Sequence, residues 1–250
     1  MKRELTQLYP KVWRLTADNP SPMTGPGTNT YLIGQERLVI IDPGPADSAH
    51  QNALVELTTT WAAPIEAIIV THHHSDHSGG AESLAHRCQV PLLSFGQPLQ
   101  PEAVLEIDDL QLVVKHTPGH IQAHLCLWLP EPRLLIAGDL VAGQGTILII
   151  PPDGDMTAYL ASLATMKALN PAAILPGHGP VIENGPALLQ SYIDHRLQRE
   201  QQVLAYLAQG YQTAPEIAGQ IYADHPPEVQ GIATMQIEAH LEKLRREGRA

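Results

Sequence analysis

Through residue 177, short apolar runs punctuated by Gly and Pro alternate with longer amphipathic stretches; beyond residue 185 the alternation stops. Lys11–Leu15, Asn29–Gly34 and Arg37–Asp42 are compact runs bounded by turn formers, which predicts three strands. Residues 48–62 place apolar side chains at helical spacing, and Ala67–Val70 is a continuous apolar run of strand length. A helix is expected from Gly79–Gly80 through Arg87, then strands over 110–116, 124–129, 133–138 and 146–150. Residues 155–169 predict a helix with Asp155 as its N-cap, and 172–177 a last strand. From Gly185 the pattern is helical only, with Thr213 and Glu216 at capping-box spacing opening a new helix. This order predicts an α/β class, divided into a domain of residues 1–187 and a helical one of 188–250.

Composition alters the picture at a few points. The 250 residues, 44% hydrophobic and 16% charged, describe an ordinary globular chain. No apolar stretch approaches the ~20 residues of a membrane helix, so no membrane association is expected. The opening residues lack an apolar signal core, and Cys88 and Cys126 are too few for a disulfide framework; together these point to the cytoplasm. The formal net charge of −11 disfavours a generic polyanion binder, because phosphate contacts need clustered Lys and Arg. A local metal centre could still dominate the field that a nucleic acid meets. The sequence offers no argument on oligomeric state.

The histidines change the picture most. Eight of the 13 lie between His72 and His124, four of them within Thr71–Gly80, "THHHSDHSGG". His72 and His74 are two apart, so in extended backbone they point the same way and can grip one ion. Asp76 and His77 follow after the chain turns and can face a second. His120, Asp139 and His178 each stand where a predicted strand stops, beside glycine. The edges where strands end are where layered α/β folds gather their sites. His72, His74 and His120 then serve one metal, Asp76, His77 and His178 another, with Asp139 placed to bridge. Nitrogen-rich ligands with some carboxylate favour two Zn²⁺, with Mn²⁺ or Fe²⁺ also fitting. Two cations sharing a water would acidify it toward neutral pH. His73 alternates away from this set, His86 lies on a helix, and His116 is expected to be structural.

Thr71–Gly80 carries the HxHxDH signature of the metallo-β-lactamase superfamily, and His120, Asp139 and His178 stand where that superfamily places its remaining ligands. The resemblance implies a four-layer αβ/βα sandwich with metals at its edge. Residues 19–34, 117–127, 137–146 and 176–204 are similar to the beta-lactamase-like protein 2 family of single-strand-selective endoribonucleases, and the C-terminal helices to its small winged-helix-like appendage. A full wing would need a further β-hairpin after Arg245–Ala250, so a helix-only appendage is expected.

The resemblance implies a two-zinc hydrolase of single-stranded RNA, in which Asp76 binds metal and orients the nucleophile. His124, near the ligand His120, is the candidate proton donor to the leaving oxygen; its other possible role is to orient a ligand. Asn29 and Thr146 are candidate substrate contacts. Hydroxyacylglutathione hydrolases share the motif, so hydrolysis of a small thioester or ester is the second reading. The acidity and the scarcity of aromatics (one Phe, three Trp) favour it, because base-stacking platforms are few. β-Lactam hydrolysis is a weaker third, and the full ligand set argues against a non-catalytic module.

Overall fold

The computed structural model describes residues 5–250, the side chains of 227–229 excepted. Strands β1 (Thr6–Tyr9), β2 (Val12–Thr16), β3 (Asn29–Gly34) and β4 (Leu38–Ile41) form a meander, followed by helix α1 (Ser48–Trp61) and strand β5 (Ile65–Ile69). Helices α2 (Ser75–Ser78) and α3 (Ala81–Cys88) lead to β6 (Leu92–Phe95) and β7 (Pro98–Leu99), completing a sheet in the order β1-β2-β3-β4-β5-β6-β7. The second sheet, in the order β12-β11-β10-β9-β8, comprises β8 (Val104–Ile107), β9 (Leu110–His116), β10 (Leu125–Leu129), β11 (Leu134–Gly138) and β12 (Ala173–Pro176), with α4 (Met156–Ala168) crossing between the last two. Three helices close the chain: α5 (Gly185–Ala208), α6 (Ala214–Ile221) and α7 (Pro227–Arg246).

Strand periodicity sorts side chains into layers. Tyr31, Ile33, Val39, Ile41 and Ile69 face Val114, Leu125, Leu127, Leu134, Ile136 and Leu175 between the two sheets. Their neighbours point outward: Leu32, Ile40 and Ile68 against Leu54 of α1 and Leu84 of α3, and Cys126, Leu135, Ala137 and Ile174 against Tyr159 and Leu163 of α4. Both faces of these strands are therefore buried, which is why they read as unbroken apolar runs rather than as alternation. The result is a helix–sheet–sheet–helix sandwich. α5 starts on it, through Leu189 and Tyr192, and ends in the cluster that Val203 shares with Ile217, Ile237, Leu241 and Leu244 of α6 and α7. Residue 187, where the sequence reading divides the chain, lies in the first turn of this unbroken helix. Beyond it the described residues are helical, without a strand.

Residues 146–150, expected as a strand, form none. Ile147 and Ile149 are buried, so their alternation reflects inward packing, but no neighbouring strand pairs with them. Their carbonyls are taken up by side chains instead: Ile147 by Arg196, Leu148 by His120 and Ile149 by Gln236. The pattern missed β1 and β6–β8, which are two to four residues long and partly exposed, too short for a period to show. At one edge of the sandwich the parallel strands β4 and β5, and β11 and β12, all point their C-terminal ends the same way. That edge collects Asp42, Thr71, Asp139 and His178.

Candidate metal centre

His72 follows directly on the Thr71 that ends the β5 segment. Its Nδ1–H donates to Thr71 Oγ1 at 3.0 Å, because the Thr71 hydroxyl gives its own proton to Asp42 Oδ2 at 2.7 Å. His120 Nδ1–H likewise donates to the Leu148 carbonyl at 2.7 Å. Both rings are thereby held with a bare Nε2 facing His74 Nδ1, each at 3.0 Å. One proton on His74 Nδ1 can satisfy only one of the two. A single cation satisfies all three nitrogens: tetrahedral Zn–N bonds of 2.0–2.1 Å place the nitrogens about 3.3 Å apart. Burial lowers the pKa of His74 and His120, and that of His72 far more, so these donors stay neutral.

Asp76, His77 and His178 form the second group. His178 Nε2 lies 3.2 Å from both Asp76 Oδ2 and His77 Nε2. Asp42 accepts from His77 Nδ1 at 2.8 Å, which turns His77 Nε2 inward. Burial would lower the pKa of His77 and His178, but carboxylates override it. Asp139 and Asp42 hold His77 well above the ordinary value, and Asp139 and Asp76 raise His178 to about 9.

Asp139 stands between the groups, Oδ2 at 4.0 and 3.8 Å from His72 and His120, Oδ1 at 3.3 and 3.5 Å from His77 and His178. Burial alone would raise its pKa, yet the surrounding imidazoles, His77 foremost, drive it well below the carboxylate range. Its Oδ1 is buried without a hydrogen-bond partner. A buried carboxylate oxygen that makes no hydrogen bond, with imidazole nitrogens 3.3 and 3.5 Å away, suits a cation. His72, His74, His120 and Asp139 offer ligand atoms within 4.8 Å of one another, as do Asp76, His77 and His178, so each group could hold a metal ion.

Residues 23–97 and 94–178 match the family model of the metallo-beta-lactamase superfamily, and residues 213–250 that of the beta-lactamase associated winged helix domain. The chain belongs to the metallo-beta-lactamase superfamily. It is 32% identical to a beta-lactamase-like protein 2 homolog of Caenorhabditis elegans, over 98% of this chain and 87% of that one. It is 29% identical to an atrochrysone carboxyl ACP thioesterase of Aspergillus chevalieri, over 90% of this chain and 78% of that one. A metallo-beta-lactamase family protein from Thermus thermophilus shares the fold, with a TM-score of 0.77 at 22% identity over 97% of this chain and 95% of that one. Superfamily members are in general hydrolytic enzymes with a metal site, and residues 213–250, which carry α6 and α7, are the associated winged helix domain.

Three further assignments from the sequence meet the geometry differently. His124 is fully buried, and neither of its nitrogens is free: Nε2 accepts from the Asp139 backbone N–H at 3.1 Å, and Nδ1–H donates to Thr117 Oγ1 at 2.8 Å. Burial also lowers its pKa to about 3, so the ring stays neutral and its one proton, on Nδ1, is already given to Thr117. This superfamily member uses it to seat Asp139. Asn29, expected at the substrate, is also buried; its amide donates to the Pro176 and Gly179 carbonyls at 3.0 and 2.9 Å, and its oxygen accepts from Thr16. It fastens the loop that carries His178 and has no group left for a substrate. Thr146 does line the cavity over the two groups. His73 and His86 are exposed, and His116 stacks on Phe95 with ring centroids 3.9 Å apart.

Asp42 escaped the sequence reading. It is 2% exposed, accepts from Thr71 N and Oγ1 and from His77 Nδ1, and so orients His72 through Thr71 and His77 directly. A carboxylate ending a fully apolar run, Leu38–Ile41, was the available signal. Two glycines permit the crowding: a Cβ at Gly177 would stand 2.6 Å from His77 Cε1, and one at Gly138, where φ is +47°, 2.9 Å from His124 Nε2. Asp42→Asn places an amide donor against Thr71 or His77 and is expected to weaken the binding of a divalent cation, read with Zn²⁺ as the probe, about 10- to 100-fold. Titration against a chromophoric chelator measures it; undiminished affinity would remove Asp42 from the centre.

Proposed function

We propose that this chain is a two-metal hydrolase, with Zn²⁺ as the resident ion, acting on an ester or thioester with an apolar acyl part, and we place it in the cytoplasm. The carrying observation is the mouth of the centre. A cavity of about 480 Å³ opens over His74, Asp76, His120 and Asp139, walled by Met23, Ile150 and Ile232. These three are partly exposed apolar side chains drawn from separate parts of the chain, with Met23 the most exposed, at 58%. Among the described residues lining it there is no Lys or Arg. Such a wall suits a hydrocarbon chain and offers a polyanion no cationic side chain beyond the metal centre itself.

Two bound divalent cations would supply the Lewis acidity that polarises a carbonyl and acidifies water. The chain's own residues do the rest. His72, His74 and His120 would hold one cation, Asp76, His77 and His178 the other, and Asp139 would reach both. Asp76, half-buried at the mouth, is placed to accept a proton from water and so fix the direction of attack. A thiolate leaves without a proton donor, which suits a centre whose one buried spare histidine, His124, is committed to Asp139.

The likeness to a beta-lactamase-like protein 2 homolog over nearly the whole chain supports cleavage of single-stranded RNA as the second reading. The assay that separates them offers zinc-loaded protein S-acylated pantetheine of medium chain length, S-lactoylglutathione and end-labelled single-stranded RNA, each beside Asp76→Asn. Thioester turnover that the substitution abolishes is expected. RNA cleavage that depends on Asp76, with every thioester untouched, would replace this reading by the second.

A further inference from the structure

We propose that Arg196 and Gln236, on the C-terminal helices, are positioning residues for the metal centre: they clamp the 146–149 loop whose Leu148 carbonyl sets the ring of His120. The inference rests on the metal reading above and goes beyond it, since it makes the helical appendage part of the centre.

The loop has no strand beside it to hold its backbone. Arg196, on α5, sends Nη2 to Thr146 Oγ1 at 2.9 Å and to the Ile147 carbonyl, and Nη1 to Gln236 Oε1 at 3.0 Å. Gln236, on α7, returns Nε2 to the Ile149 carbonyl at 2.9 Å. The carbonyls on either side of Leu148 are thus pinned from the appendage, and the one between them is left to accept from His120 Nδ1. That bond decides which nitrogen of His120 faces His74. Moving the loop turns the ring or frees its tautomer.

Arg196 is 2% exposed and, among the described residues, pairs with no carboxylate; Tyr159 lies beneath it, 5.5 Å from guanidinium carbon to ring centroid. Burying an uncompensated guanidinium is costly, and two packed helices need only apolar side chains there. What the guanidinium adds is a fork of donors reaching loop and α7 at once. Tyr192, one turn earlier on α5, repeats the device by accepting from Ala142 N and donating to the Gly145 carbonyl. The segment between Asp139 and Ile149 is therefore fastened to the appendage at successive points.

The test uses the full chain stripped of metal and reads zinc affinity by competition with a chromophoric chelator, and Co²⁺ geometry by its visible spectrum. Arg196→Met and Gln236→Leu are each expected to weaken one of two zinc equivalents about 10-fold, the low end for groups that orient a ligand, and to alter the Co²⁺ bands. The other equivalent keeps its affinity, which a general loss of folding would not allow. Gln236→Glu keeps an acceptor for Arg196 but turns a carboxylate oxygen toward the Ile149 carbonyl in place of the amide donor, so it should weaken the same equivalent as Gln236→Leu does. Arg196→Lys replaces Arg196→Met if the latter does not fold. Wild-type zinc affinity and Co²⁺ spectrum in the folded variants would overturn the clamp alone. Wild-type protein that takes up no zinc would overturn the metal reading with it.

Discussion

Asp139→Asn is expected to lower bound zinc from two equivalents to about one, and to slow hydrolysis by about 10²- to 10³-fold or more. The substitution keeps the side chain's shape, so the loss is of charge and lone pairs. One carboxylate oxygen faces His72 and His120, the other His77 and His178, and a neutral amide can serve one pair while presenting N–H groups to the other. The backbone N–H of residue 139 still reaches His124, so the fold around it should persist. Metal analysis by mass spectrometry, beside a rate measurement, checks both parts. Two tightly held zinc ions with unchanged turnover would show that Asp139 belongs to neither ion.

Stripping the metal is the second large effect. Each ion held at a thousandfold excess over its dissociation constant stabilises the fold by about 4 kcal/mol, so chelation should lower the melting temperature by about 10 °C or more. The stripped chain should also acquire a pH optimum near 6.5. His178, raised to about 9 from 6.5, lets the fold hold a proton that the unfolded chain releases, so its contribution is lost as pH climbs through that interval. His77 acts in the same direction. His72, His74, His120 and His124 are shifted the opposite way; below pH 6.5 the unfolded chain takes up protons that the fold refuses, and stability falls again. The gap between loaded and stripped melting temperatures should therefore widen from pH 6.5 to 9. Scanning calorimetry with and without chelator measures it, and a gap independent of pH would mean that cations do not displace those protons.

Much of this was legible beforehand for a definite reason. The buried strands Asn29–Gly34 and Leu134–Gly138 appear as apolar runs because each is covered on both faces, a local property of composition. His72 and His74 share a direction because they lie two apart in extended backbone, again local. Residues 146–150 misled because inward packing of Ile147 and Ile149 imitates a strand wherever a loop crosses a core. For His124 the hydrogen bonds chose between the two roles open to it, and Asn29 misled, because proximity in sequence, or to a loop, says nothing of which hydrogen bonds a buried polar group has already made.

Sequence alone decided which side chains could ligate a metal and that they stand at strand ends, since side-chain chemistry, short spacings and apolar runs are written residue by residue. Tertiary structure decided which nitrogen of each ring faces the centre, which polar groups remain free, and that the mouth is apolar. The partners that settle those points lie far along the chain, Asp42 from His77, Leu148 from His120, Arg196 from Ile147 and Asn29 from Gly179. A hydrogen bond's direction is set by where its partner sits in space, and only folding brings these partners together.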